Sequence, residues 1–198
     1  MTQEFSGGTA PAGSSPWLTP RIDDQGTPGT VQLKVETTNL TGSEKVSGLY
    51  LNIDPSIDPA DLSFSAPTKT GIFADPVISL STDTFKADGD GKYDILLTFS
   101  TSSGSEFGAG EEVEYTITGL GSAAGLIAAD FVFLSAPAGG HGPFYAAAHV
   151  QGIGAGLSGW ISPDPGLDPF SNPVPEPNGI ILFTLGLAIA ERIRRRIS

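Results

Sequence analysis

The chain has 198 residues, no cysteine and a formal net charge of −12, a length that suits one domain with tails and a composition that excludes disulfides, thiolate metal sites and thiol catalysis. The charge is uneven: without residues 191–198, 6 basic residues face 21 acidic ones, a balance of −15. A body that acidic repels phosphate backbones and anionic lipid surfaces, which excludes nucleic acid as an expected partner.

Residues 1–20 read as a flexible N-terminal segment of Gly, Ser, Thr and Pro, with Phe5, Trp17 and Leu18 as its large apolar residues. A secretory signal needs a basic start and about 7–15 consecutive apolar residues. This segment has neither, so the signal peptide of an exported protein is expected to precede Met1 or to have been removed.

Residues 21–161 carry the punctuation of short strands. Val31, Leu33 and Val35 alternate with Gln32, Lys34 and Glu36, period two with one buried face. Leu49, Leu51 and Ile53 repeat the pattern before Asp54-Pro55 and Asp58-Pro59 interrupt the chain. Further strands are predicted at Leu62 and Phe64, at Val77 to Leu80, from Tyr93 to Phe99, at Val113, Tyr115 and Ile117, at Phe131 and Phe133, and from Phe144 to Val150. About eight strands, Gly-rich turns and no amphipathic helix between them predict an all-β fold, an antiparallel β-sandwich of jelly-roll or immunoglobulin-like order.

Residues 162–173 begin a proline-dense stretch; Pro163, Pro165, Pro169, Pro173, Pro175 and Pro177 oppose helix interiors and ladder pairing, so a Pro-rich linker is expected. Gly179 to Ala190 then runs twelve residues without a charge, followed by Glu191, Arg192, Arg194, Arg195 and Arg196. As a helix this stretch is ~18 Å long at ~1.5 Å per residue, against a hydrocarbon core of ~30 Å. Its apolar residues surround the helix rather than forming one stripe, which favours a short membrane-seeking helix over an amphipathic one. The arginines form a membrane stop and place the C-terminus in the cytoplasm with the body outside.

Pro175-Glu176-Pro177, a short apolar helix and an arginine cluster, in that order over residues 174–198, resemble the PEP-CTERM sorting signal. The resemblance implies an exported protein of a bacterium that makes extracellular polysaccharide. It also implies that Pro175, Glu176 and Pro177 are the box read by an exosortase-type membrane processing enzyme. The chain would be tethered to the inner membrane through the helix before cutting, then reside in the cell envelope or outside it. Gly26 to Gly29, Tyr50 to Pro55, Lys86 to Gly91 and Gly142 to Val150 are similar to segments of exported proteins that carry this tail. That group supplies no activity to transfer.

In the body, Asp88, Asp90 and Asp94, spaced by glycines, are the best set of hard oxygen ligands and a candidate calcium site. An EF-hand loop is excluded, because its fifth, sixth and twelfth positions hold Lys92, Tyr93 and Phe99; the alternative is a hairpin turn, for which Asp-Gly is favoured. His141 and His149 lack a local partner of the kind zinc needs. Glu112 and Glu114 alternate with apolar residues as on a wetted strand face, so with Glu111 they are not expected to form an acid–base pair. Asn39-Leu40-Thr41 matches a glycosylation acceptor, in a bacterium an accidental match. With no nucleophile elbow or phosphate loop, no catalytic residue and no enzyme activity is expected. Trp17, Tyr50, Tyr93, Tyr115, Tyr145 and Trp160 are the pool for a sugar-stacking platform, with core packing as the alternative. The expected function is that of an exported surface or matrix protein; the alternatives are a polysaccharide- or calcium-binding module and, more remotely, a secreted hydrolase.

Overall fold

The computed structural model describes residues 1–88, 91–164 and 170. The sorting box, the apolar stretch and the arginine cluster lie outside the described residues, as does Asp90. Among the described residues no helix is long and apolar enough to cross a membrane.

The described chain forms β1 (Gln3–Ser6), β2 (Thr19–Asp23), β3 (Thr30–Glu36), β4 (Lys45–Leu51), β5 (Leu62–Phe64), β6 (Thr68–Thr70), β7 (Val77–Lys86), β8 (Lys92–Thr98), β9 (Phe107–Gly108), β10 (Glu112–Gly119), β11 (Ala146–Ile153) and β12 (Leu157–Ser162). They make two antiparallel sheets. One has the order β1-β12-β11-β4-β8-β7, with β9 also on β4; the other has the order β2-β3-β10-β5, with β6 also on β10. Both sheets turn apolar faces into one core: Val31, Leu33, Val35, Val113, Tyr115 and Ile117 from the smaller sheet meet Val46, Leu49, Leu51, Ile95, Leu97, Ala148, Val150 and Ile161 from the larger. The fold is an antiparallel β-sandwich, as the alternation predicts.

Period two places the strands well where it is clean. In β3 every second residue is buried, and β10 repeats this from Val113 to Ile117. The outward residues of this pair carry the charges: Glu36 faces Glu112 across the ladder, and Lys34 Nζ lies 3.1 Å from one and 2.9 Å from the other. Phe131 and Phe133 do not form a strand. Ala128–Phe131 is a 3-10 turn, with the Ile127 N–H donating to Asp130 Oδ2 at 2.9 Å. Two apolar residues one apart are too little alternation to outweigh a side chain that closes a turn onto its own backbone.

The first twenty residues depart further from expectation. Instead of a loose leader, they supply β1, which pairs with β12, and the start of β2. Trp17 and Leu18 are buried in the main core, and the Trp17 indole donates to the Gly13 carbonyl at 2.6 Å. The small residues that look like slack permit the close approach: a Cβ on Gly13 would lie 1.9 Å from the Asn39 carbonyl oxygen, and one on Gly159 would lie 2.1 Å from that of Thr9. At the other end, β12 runs to Ser162, and Phe170, within the predicted linker, is only 4% exposed and belongs to the main core. The body therefore reaches beyond 21–161 on both sides.

Candidate functional site

The outward face of the larger sheet carries a second cluster. In β4, Leu49 and Leu51 point into the core, so Tyr50 points away; by the same alternation His149 in β11 and Trp160 in β12 are outward. Tyr50 and Trp160 ring centroids lie 5.4 Å apart, and Tyr50 and Tyr93 5.7 Å apart, edge to face. His149 stacks on Trp160 at 4.6 Å and 20°. Phe5, from the supposed leader, packs on Phe144 at 4.8 Å and reaches Trp160 and His141 at 6.5 and 6.0 Å. Tyr50, Trp160, His149 and Phe5 are half-buried. Rings that hold one another in place form a rigid amphipathic surface, which loses little conformational freedom when it binds.

The backbone explains this convergence. Trp160 faces His149, and His149 faces Gly48. A Cβ at Gly48 would meet the Tyr50 ring at 3.0 Å, so that ring lies over the glycine and fills the place a side chain would take. Ser47 Oγ is 2.8 Å from His149 Nδ1. Burial holds the His149 imidazole below its ordinary pKa, with Asp88 opposing as the smaller influence, so the ring is neutral at neutral pH.

Of the six aromatic residues singled out in sequence, the structure brings Tyr50, Tyr93 and Trp160 together and sends Trp17 and Tyr115 to the core. Sequence reading missed Phe5, Phe144 and the two histidines as members. The signal for His149 is its place between Ala148 and Val150 in the alternation of β11; its partner Trp160 lies on β12, whose sequence LSGWIS carries too little apolar alternation to read as a strand.

The candidate calcium residues fall into different surroundings. Strands β7 and β8 pair antiparallel, and Asp90, between them, lies outside the described residues. Asp88 accepts a hydrogen bond from Ser6 Oγ at 2.9 Å. Asp94 is 7% exposed and accepts from the Ile53 and Asp83 backbone N–H groups at 3.1 and 2.8 Å. Burial raises its pKa, against the pull of those two bonds. Asp83, with φ of +49°, needs such a partner to hold a left-handed turn. Among the described residues no group of three or more His, Asp or Glu is placed to hold a metal ion.

A groove between segments 42–45 and 104–109 carries Glu44, Glu106 and Glu111. Each of the three accepts from two backbone N–H groups: Glu44 from Ala12 and Thr41, Glu106 from Gly104 and Ser105, and Glu111 from Ile72 and Gly108. Glu44 and Glu111 tie separate segments together, whereas Glu106 closes its own loop and pairs with Lys45 at 3.3 Å. Glu112 is paired with Lys34 at 2.9 Å, and it lines a shallow pocket together with Glu36 and Glu111.

No family model and no curated protein sequence matches the chain. Among solved structures, the chain is matched by a "CBM3a-L domain with flanking linkers from scaffoldin cipA of cellulosome of Clostridium thermocellum", with 13% identity over 66% of this chain and 82% of that one and a TM-score of 0.36. At that level nothing about ligand or activity carries over.

Proposed function

We propose that this chain is an exported, non-catalytic cell-surface or matrix protein whose β-sandwich body binds polysaccharide through the outward aromatic face of its larger sheet. The observation that carries the binding is the Trp160, His149 and Tyr50 cluster, half-exposed and locked by mutual ring contacts. Pyranose rings offer apolar C–H faces edged with hydroxyls, and this face offers aromatic surface beside the hydroxyl of Ser47 and the imidazole of His149. The test is affinity electrophoresis through gels containing soluble polysaccharides. Trp160→Ala is expected to lose retardation at least tenfold in affinity while its melting transition stays cooperative; unchanged retardation would remove this face from the function.

The second part of the proposal rests on Pro175-Glu176-Pro177, the uncharged run to Ala190 and the arginines. An exosortase-type enzyme in the inner membrane is proposed to read the box and release the body. Intact mass and cell fractionation of the native chain and Glu176→Ala check this in an exosortase-bearing host. The native chain is expected to appear outside with the tail removed, and the variant to stay with the membrane at full mass. Equal processing of both sinks the sorting role.

A further inference from the structure

The ladder registers define a stripe that crosses the whole larger sheet. Ser6 faces Trp160, Trp160 faces His149, His149 faces Gly48, Gly48 faces Thr98, and Thr98 faces Val77. These six positions span five inter-strand spacings, about 24 Å at ~4.8 Å each. The adjacent row in the same strands, Ile161, Ala148, Leu49, Leu97 and Ile78, packs in or against the core, so the stripe faces outward. The following outward row, which includes Ala147, Tyr50, Leu96 and Ser79, is also free of charged residues. Val77, at the far end, is 66% exposed.

In a chain with 22 acidic and 10 basic residues, two neighbouring outward rows carry no charged residue; the next row on the other side of the stripe holds Lys45, opposite Gln151 and paired with Glu106. The titratable group in the stripe is His149, which burial keeps neutral. Asp88, bonded to Ser6 at one end, adds negative charge at the margin. A ligand bearing carboxylates would find no cation in the stripe and would meet the field of an acidic body.

We infer that the ligand of this face is an uncharged polysaccharide lying across the strands, along the line from Trp160 over His149 and the Tyr50-covered Gly48 to Thr98 and Val77. This rests on the glycan-binding reading and adds the class of ligand and its direction. Ring contacts hold the chain at the Trp160 end, and contact with Thr98 and Val77 extends the grip, so affinity rises with chain length until the sheet width is filled.

The experiment is isothermal titration with three probes, a soluble uncharged glucan, a polyuronate and a deacetylated glucosamine polymer, together with a length series of gluco-oligosaccharides. The glucan is expected to bind with an affinity that changes less than twofold between 50 and 500 mM salt, because no ion pairs are screened. Affinity is expected to climb along the oligosaccharide series. Thr98→Asp, a change at an exposed position, is expected to weaken the long glucan at least tenfold and the shortest bound oligosaccharide less than twofold. Preference for the polyuronate or the amino polymer overturns the inference and leaves glycan binding standing, as does a Thr98→Asp variant that binds like the native chain. Retention of none of the three probes overturns both. Sedimentation showing a dimer that Thr98→Asp dissociates would assign the stripe to a second copy of this chain instead.

Discussion

At the residue scale, Lys34 shows how a strongly acidic body tolerates facing carboxylates. Glu36 and Glu112 sit directly opposite each other, an arrangement that costs stability in a ladder. Lys34 Nζ lies between them, and hydrogen bonds to Glu112 first and Glu36 second raise the lysine's pKa. All three side chains are substantially exposed, so the net gain is small. Lys34→Ala is expected to destabilise by about 0.5–1 kcal/mol, more at low ionic strength, because it both removes an ion pair and leaves like charges facing. Urea unfolding at 20 and 500 mM salt measures this; a loss independent of salt would show that the lysine acts through its methylene packing. The alternations Val31 to Glu36 and Glu112 to Ile117 make this arrangement half-legible in sequence: they place the three side chains outward but not opposite one another.

At the scale of elements, the N-terminal segment is the informative one. Its composition reads as disorder, yet Leu18 is fully buried and β1 closes the edge of the larger sheet against β12. Leu18→Ala is expected to cost about 2–5 kcal/mol, the range for a buried leucine whose site cannot collapse. Chemical denaturation reads it directly, and a change under about 0.5 kcal/mol, the surface range, would mean that the segment is a detachable leader after all. The hairpins β2–β3 and β11–β12 follow from local turn residues. The pairings β3–β10, β4–β8 and β4–β11 join segments far apart in sequence, and periodicity carries no information about partners. This is why the strands of the core were legible and their order was not.

For the whole molecule, the balance of carboxylate environments sets the response to acid. Hydrogen bonds from Ser56, Ser122 and, for Asp24, the Ala128 and Gly26 amides hold the pKa values of Asp54, Asp61 and Asp24 below the usual aspartate value; Glu106 is likewise lowered, chiefly by a backbone hydrogen bond. A carboxyl with a lowered folded-state pKa stabilises the fold fully above its unfolded value and loses that contribution as the pH falls through the folded value. Asp94 has the opposite sign: its raised pKa favours the fold below the ordinary aspartate value and ceases to do so as the pH rises through its own. With four lowered groups against one raised, the melting temperature is expected to drop below about pH 4. Asp61→Asn is expected to shrink that drop. Differential scanning calorimetry from pH 7 to 3 checks both; a rise in melting temperature over this range would mean that relief of the body's self-repulsion outweighs the lost hydrogen bonds.

By itself, the sequence determined the fold class, the buried faces of β3, β4, β8 and β10, the acidity of the body and the order of motifs in the tail, because each depends on spacing or composition along a single stretch of chain. Tertiary structure alone decided that Phe5, Tyr50, His149 and Trp160 share one face, that Asp94 holds the Asp83 turn, and that Phe170 returns to the core. Those outcomes depend on which strands lie side by side, and neighbours are chosen by the summed packing of two complete sheets rather than by any local pattern.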